Sequence, residues 1–166
     1  MTYEAALARV KQKHGTPFAP GSPEETAAIE RFKAFFATFA CDKVQRLLDQ
    51  TYAPDVWFND TLKEIEGREA LRPYLEHSAS AVDDCRVEVK DVVSNGQGDY
   101  YVRWSMMIKF KRFKRGQETW SIGMSHLRFD ANGLVVLHQD FWNAADGLFQ
   151  HVPVLGGMIR WIKKQV

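Results

Sequence analysis

An α+β fold, with a curved antiparallel or mixed sheet wrapped around N-terminal helices, is predicted for this chain by two periodicities and the order in which they occur. Apolar residues recur at helical steps of three and four near the start, then at alternate positions from Cys85 onward. Helices followed by a meander set one apolar helix face against one apolar sheet face, which is the α+β arrangement.

The helical stripe is Ile29, Phe32, Phe36 and Phe39. It is announced by Ser22-Pro23-Glu24-Glu25, where Ser22 suits the cap, Pro23 the first turn and Glu25 a capping box. Residues 3–13 also have helical composition, but the two glycines and three prolines between Gly15 and Pro23 make residues 1–22 read as an arm and linker. A second helix is expected over 42–50, offering Val44, Leu47 and Leu48 to the same core until Pro54 stops it. Two short strands, 55–58 and 62–65, flank the turn cluster Asn59-Asp60-Thr61, and 68–81 is helical despite Pro73.

The alternation then takes over. Val87, Val89, Val92 and Val93 make one strand, and Tyr100, Val102, Trp104, Met106, Ile108 and Phe110 line one face of a longer one. Tyr101, Arg103, Ser105, Met107 and Lys109 lie opposite. A further strand runs through Phe129, Asp130-Ala131-Asn132-Gly133 reverses the chain, and 134–142 is the last strand. A long strand with one apolar face needs a cover, and the helical stripe is the surface available to it. A sheet curved around helices leaves a cavity where strand ends meet them, the usual setting of a small-molecule site.

At 166 residues, 45% of them apolar, the chain supports one core. We expect one domain over 23–143, with residues 144–166 as a C-terminal extension carrying a short helix around Met158, Ile159 and Ile162 that folds back as a lid or onto a second subunit. With 22 basic against 21 acidic residues, nothing global favours nucleic acid or an acidic membrane, and the basic run Lys109 to Gly116 reads as a solvated hairpin tip. Cys41 and Cys85 read as buried thiols of a reducing compartment. No leader and no membrane span is apparent, so a cytoplasmic protein is expected. His138 and Asp140 with His126 or His151 do not make the close ligand cluster zinc needs, so no metal is expected. No cofactor is expected either: phosphate-cradling and dinucleotide-binding loops and a serine-nucleophile signature are all missing.

Chemistry concentrates at two places. On the last strand a period of two puts His138, Asp140 and Trp142 on one face, and a histidine beside a carboxylate is held in one tautomer suited to proton transfer. Asp60 is either a turn acid or, enclosed by Trp57, Phe58 and Trp104, a general acid or base lining a pocket. Candidate catalytic residues are therefore Asp60, His138 and Asp140, with Phe36, Trp57, Phe58, Trp104, Met106 and Trp142 as ligand-binding walls.

The helices, the "YAPDVWFND" hairpin, "GREALRPYL" and the meander ending in "RFDANGLVVLHQDFWN" together resemble the nuclear transport factor 2-like superfamily, particularly its SnoaL-like branch. That resemblance implies the cone-like, cystatin-like version of the α+β fold. Tyr52, Ala53, Asp55, Asp60, Gly67, Ala70 and Arg72 are similar in spacing to ketosteroid isomerases, where the acid matching Asp60 shuttles the proton. The isomerases' oxyanion-stabilising tyrosine falls on Phe36, which has no hydroxyl to donate. "HQDFW" resembles the last strand of limonene epoxide hydrolases, with Asp140 as its acid and Arg103 as the pocket arginine, but Ser105 stands where their second carboxylate would be. What the resemblance implies is a pocket for an apolar small molecule. The chain is then a cofactor-independent acid/base enzyme (isomerase, cyclase, dehydratase or hydrolase), or a non-catalytic ligand-binding or interaction module. Apolar groups on the second face of the long strand, Tyr101 and Met107, point to a homodimer through the outer face of the sheet.

Overall fold

The computed structural model describes residues 1–112 and 116–144, together with positions 161 and 165. Helices α1 (Tyr3–His14), α2 (Pro23–Phe36) and α3 (Cys41–Thr51) come first. Strands β1 (Tyr52–Asn59) and β2 (Glu64–Glu66), helix α4 (Arg68–Ser80) and strands β3 (Val82–Ser94), β4 (Tyr100–Phe110), β5 (Thr119–Phe129) and β6 (Val135–Trp142) follow. The α+β expectation holds, with a six-stranded sheet in the order β2-β1-β6-β5-β4-β3.

Entry into α2 follows the expected cap with one change. Ser22 Oγ accepts the Glu25 amide at 3.2 Å, but the Glu25 carboxylate reaches back to the Gly21 amide, at 2.6 Å, one residue before the partner a capping box would use. Its other oxygen accepts the Tyr100 hydroxyl at 2.8 Å, so a buried acid is fully partnered and ties α2 to β4.

All neighbouring strands are antiparallel except β1 and β6, which run parallel with Phe58 opposite His138 and Asn59 opposite Gln139. This pair matters most for the site. Because the two strands point the same way and their pairing ends at Asn59 and Gln139, the next residues, Asp60 just past β1 and Asp140 within β6, emerge on neighbouring strands although they are far apart in sequence.

The main core lies between the concave face and α2, α3 and α4, where Phe32, Phe35, Val44, Leu48 and Leu71 pack against Tyr100, Val102, Leu127 and Phe129. Phe35, 1% exposed, is missing from the expected stripe, while Phe39 lies beyond the end of α2. The N-terminal segment is more than an arm on a linker. Ala6 and Val10 of α1 pack with Ala53, Trp57, Val136 and Leu137 on the convex face, and Thr2 caps the helix. Its apolar positions were too few to announce that docking from periodicity.

On that convex face Tyr101 and Met107 are not the exposed groups expected: Tyr101 stacks on His126 with centroids 4.9 Å apart, and Met107 is buried. The exposed apolar side chains there include Trp120, Ile122, Met124 and Phe141, with Val93 on the neighbouring β3. No helix among the described residues is long and apolar enough to cross a membrane. The expected C-terminal helix around Met158, Ile159 and Ile162, His151, and the centre of the basic hairpin tip lie outside the described residues.

Candidate functional site

Between the concave face, α2 and α4 lies a cavity of about 310 Å³. Asp60, His138 and Asp140 all line it, and Phe36, Phe58, Trp104, Met106 and Trp142 form its walls. Trp57 does not. Strand periodicity sends consecutive side chains to opposite faces, so Phe58 enters the cavity while Trp57, fully buried, packs beneath α1.

Asp60 is a turn residue and a cavity residue at once, one oxygen serving each role. Oδ1 accepts the amides of Leu62 and Lys63 at 3.0 and 2.9 Å, closing the turn in which Thr61 takes a φ of 71°. Oδ2 accepts the Tyr74 hydroxyl from α4 at 2.5 Å. The backbone oxygen of Asp60 accepts the Trp142 indole N–H at 2.8 Å, which locks the end of β6 to the turn. Burial and then the Asp60 carboxylate push the Tyr74 hydroxyl far up, so it stays a donor.

A directed chain of hydrogen bonds holds Asp140. Tyr52, fully buried, has its hydroxyl pushed well above its usual range by burial and then by the nearby Asp140 and Asp60 charges. It therefore donates to His138 Nδ1, at 2.7 Å. With Tyr52 donating to Nδ1, the N–H that faces Asp140 is on Nε2, and it donates to Asp140 Oδ1 at 2.8 Å. From the other side Trp104 Nε1 donates to Ser125 Oγ at 2.9 Å, and Ser125 donates to the same Oδ1 at 2.5 Å. Both bonds to Asp140 land on Oδ1; Oδ2 is the oxygen that neither His138 nor Ser125 holds. The imidazole is clamped by Phe32, Phe36 and Phe58, with ring centroids 5.4, 5.9 and 5.0 Å away, and lies parallel to Tyr52.

Tyr52, Tyr74, Ser125 and Gly123 complete the site beyond the residues expected from sequence. A Cβ on Gly123 would lie 2.4 Å from the Trp104 ring, so this glycine lets the indole cross β5 and reach Ser125. A glycine inside an alternating strand was the available signal for such a close approach. Cys85 also lines the cavity, but burial pushes its thiol up to about 12, with Asp84 adding to the effect, which removes it as a nucleophile near neutral pH.

Arg103 is on the convex face, exposed and paired with Asp91, and Ser105 shares that face. The arginine-and-acid arrangement suggested by the hydrolase resemblance is therefore not assembled at the cavity, because its members stand on opposite sides of the sheet. His126 also lies on the far side, under α1, and cannot join His138. Among the described residues no group of three or more His, Cys, Asp or Glu is placed to hold a metal ion.

Comparison with known proteins agrees with this architecture. The model of the SnoaL-like domain family matches residues 24–138, and the chain belongs to that family. An LEH-like epoxide hydrolase from M. tuberculosis superposes with a TM-score of 0.61 at 14% identity, covering 87% of this chain and 99% of that one. A putative SnoaL-like polyketide cyclase from Shewanella putrefaciens gives a TM-score of 0.61 at 16% identity, covering 75% and 93%. A Catenulispora acidiphila protein of ketosteroid isomerase-like fold, in complex with trimethylamine, gives 0.62 at 13% identity, covering 81% and 94%. At these identities the likeness is one of fold. No curated protein matches the chain.

Proposed function

We propose that this SnoaL-like protein binds an apolar small molecule in the cavity and, without a cofactor, moves a proton on it with Asp140 as the proton acceptor. The observation that carries this reading is the one-sided anchoring of Asp140: Oδ1 is held by His138 and Ser125. A general base must be fixed in direction yet keep a lone pair for its substrate, and a carboxylate held through one oxygen meets both needs. His138, backed by Tyr52, orients that base through its Nε2 bond. Asp60 and Tyr74 form a second proton-bearing pair on the same cavity, which suits isomerisation, cyclisation, dehydration or hydrolysis. Phe36 supplies no hydroxyl, which argues against the oxyanion route of a steroid isomerase.

The test is solvent exchange. A panel of apolar compounds with acidic C–H bonds is incubated with the protein in D2O and read by mass spectrometry. At least one compound gains deuterium with the parent protein, and Asp140→Asn abolishes the gain. Binding with no exchange across the panel would instead support a module that sequesters its ligand. We also propose a homodimer through the convex face, supported by Trp120, Ile122, Met124 and Phe141 exposed together there. Light scattering should give twice the monomer mass, and a monomer at all concentrations refutes it.

A further inference from the structure

The lining of the cavity is unbalanced in charge. Asp60 and Asp140 are both wired as acceptors: Asp60 takes two amides and the Tyr74 hydroxyl, and Asp140 takes the His138 and Ser125 donors. Hydrogen bonds donated to a carboxylate stabilise its charged form. Among the described residues that line the cavity none is a lysine or arginine; His138 spends its proton on Asp140, and His77 is exposed on α4. The Lys63 ammonium lies over the Tyr74 ring, 5.3 Å from its centroid, and is not part of the lining. The indole donors of Trp104 and Trp142 are both spent on protein acceptors. What remains facing the space is mostly aromatic and aliphatic carbon, with the Cys85 thiol, Ser78 and His77 at its α4 and β3 side and two acceptor-wired acids.

We infer that the ligand is a cation, an apolar amine or iminium whose positive charge is met by Asp60, Asp140 and the aromatic walls. Two carboxylates in an apolar cavity are costly without a counter-charge, and the π faces of Phe36, Phe58, Trp104 and Trp142 are an attractive surface for a weakly hydrated ammonium. A neutral or anionic ligand would leave that cost uncompensated. This deepens the proton-transfer reading and rests on it. For an iminium substrate, Asp140 takes a proton from the carbon next to C=N. The C–H electron pair becomes a C=C bond, the C=N π pair returns to nitrogen, and a neutral enamine and a neutral acid result. No oxyanion donor is needed, in keeping with Phe36.

Three probes of one shape test the inference by calorimetry at pH 8: dimethyl(2-naphthylmethyl)amine, its neutral carbon isostere 2-isobutylnaphthalene, and the anion 2-naphthylacetate. The amine should bind at least about tenfold tighter than the isostere, the scale of a desolvated cation–π contact with ion pairing added. In Asp60→Asn/Asp140→Asn the preference should fall below about twofold while the isostere's affinity is unchanged. The inference is overturned if the isostere or the anion matches the amine in the parent protein, if none of the three binds, or if the preference survives the double substitution. The parent comparison stands even where the variant fails to fold. Failure here leaves the deuterium-exchange result to decide proton transfer by itself.

Discussion

The sheet carries a Tyr–His–Asp chain on each face, with the same atoms paired in the same order. On the concave face Tyr52 Oη meets His138 Nδ1 at 2.7 Å and His138 Nε2 meets Asp140 Oδ1 at 2.8 Å. On the convex face Tyr3 Oη meets His126 Nδ1 at 2.8 Å and His126 Nε2 meets Asp99 Oδ1 at 3.0 Å. What differs is the environment of the acid. Asp99 is closed in by the Arg128 guanidinium at 2.5 Å, Lys11 at 3.1 Å and Asn95 at 2.8 Å, and it does not line the concave-face cavity. Arg128 also bonds to the carbonyls of Gly15 and Gln97, so the chain it completes fastens α1 and its linker to the sheet. A Tyr–His–Asp pattern is therefore not a site in itself. The charge balance around the acid, and an oxygen left for something else, distinguish the concave copy.

Breaking the convex copy should have the largest effect on stability. Arg128→Met leaves Asp99, its side chain 3% exposed, without its main counter-charge, and removing one partner of a buried ion pair costs about 3–5 kcal/mol. Urea denaturation measures this directly. A loss under about 1 kcal/mol would mean that Lys11 and His126 suffice to hold Asp99.

Acid should then act through the same copy. Burial alone would raise the Asp99 carboxyl, but hydrogen bonds from Arg128, Lys11, Asn95 and His126 outweigh it and hold the group at about 2. Since this lies below the unfolded value near 3.9, the associated stability is complete above about pH 5 and is lost as pH falls through about 2, a loss of about 2.5 kcal/mol. Burial pushes His126 down as well, only partly opposed by Asp99. Its unfolded form therefore takes up a proton first as pH drops below about 6.5, which adds destabilisation of the same sign. In Asp99→Asn the acid limb of stability against pH should flatten.

The two tyrosines sharpen the comparison at a smaller scale. Tyr52→Phe strips the partner from a fully enclosed His138 Nδ1, whereas Tyr3→Phe does so at the partly exposed edge of α1, where water can substitute. The first should cost about 1 kcal/mol more than the second, in keeping with the penalty for an unsatisfied buried group. Equal losses in thermal melts would mean that water reaches Tyr52.

Local sequence signals made the concave face legible and left the convex one obscure. The alternation of Tyr100 to Phe110 and of His138, Asp140 and Trp142 assigned their faces correctly, because a period of two needs no knowledge of partners. Trp57 misled for the complementary reason: in the run Val56-Trp57-Phe58 every residue is apolar, since α1 covers the reverse side, so alternation could not say which points where. The Asp99–Arg128–His126 cluster and the Tyr52–His138 bond join residues distant in sequence; the first depends on β5 lying beside β4 and the second on β1 lying beside β6. The juxtaposition of Asp60 and Asp140 depends on the parallel β1/β6 pairing, which a meander of hairpins does not announce.

The smallest stability change is expected where the functional change is greatest. Asn in place of Asp140 keeps an Oδ1 to accept from His138 and Ser125, and Asn in place of Asp60 keeps an Oδ1 for the Leu62 and Lys63 amides. At position 60 the amide nitrogen can donate to the Tyr74 oxygen, reversing the direction of that bond without losing it. Each substitution removes one of two carboxylates lining a single apolar cavity, so stability should stay within about 0.5 kcal/mol of the parent or rise slightly. Deuterium exchange should meanwhile fall by at least about a hundredfold in Asp140→Asn, the contribution typical of a general base. If Asp60→Asn is instead destabilised by more than about 1 kcal/mol with exchange intact, Asp60 serves only its turn, as a helix or loop cap does, and the concave chain works through Asp140 alone.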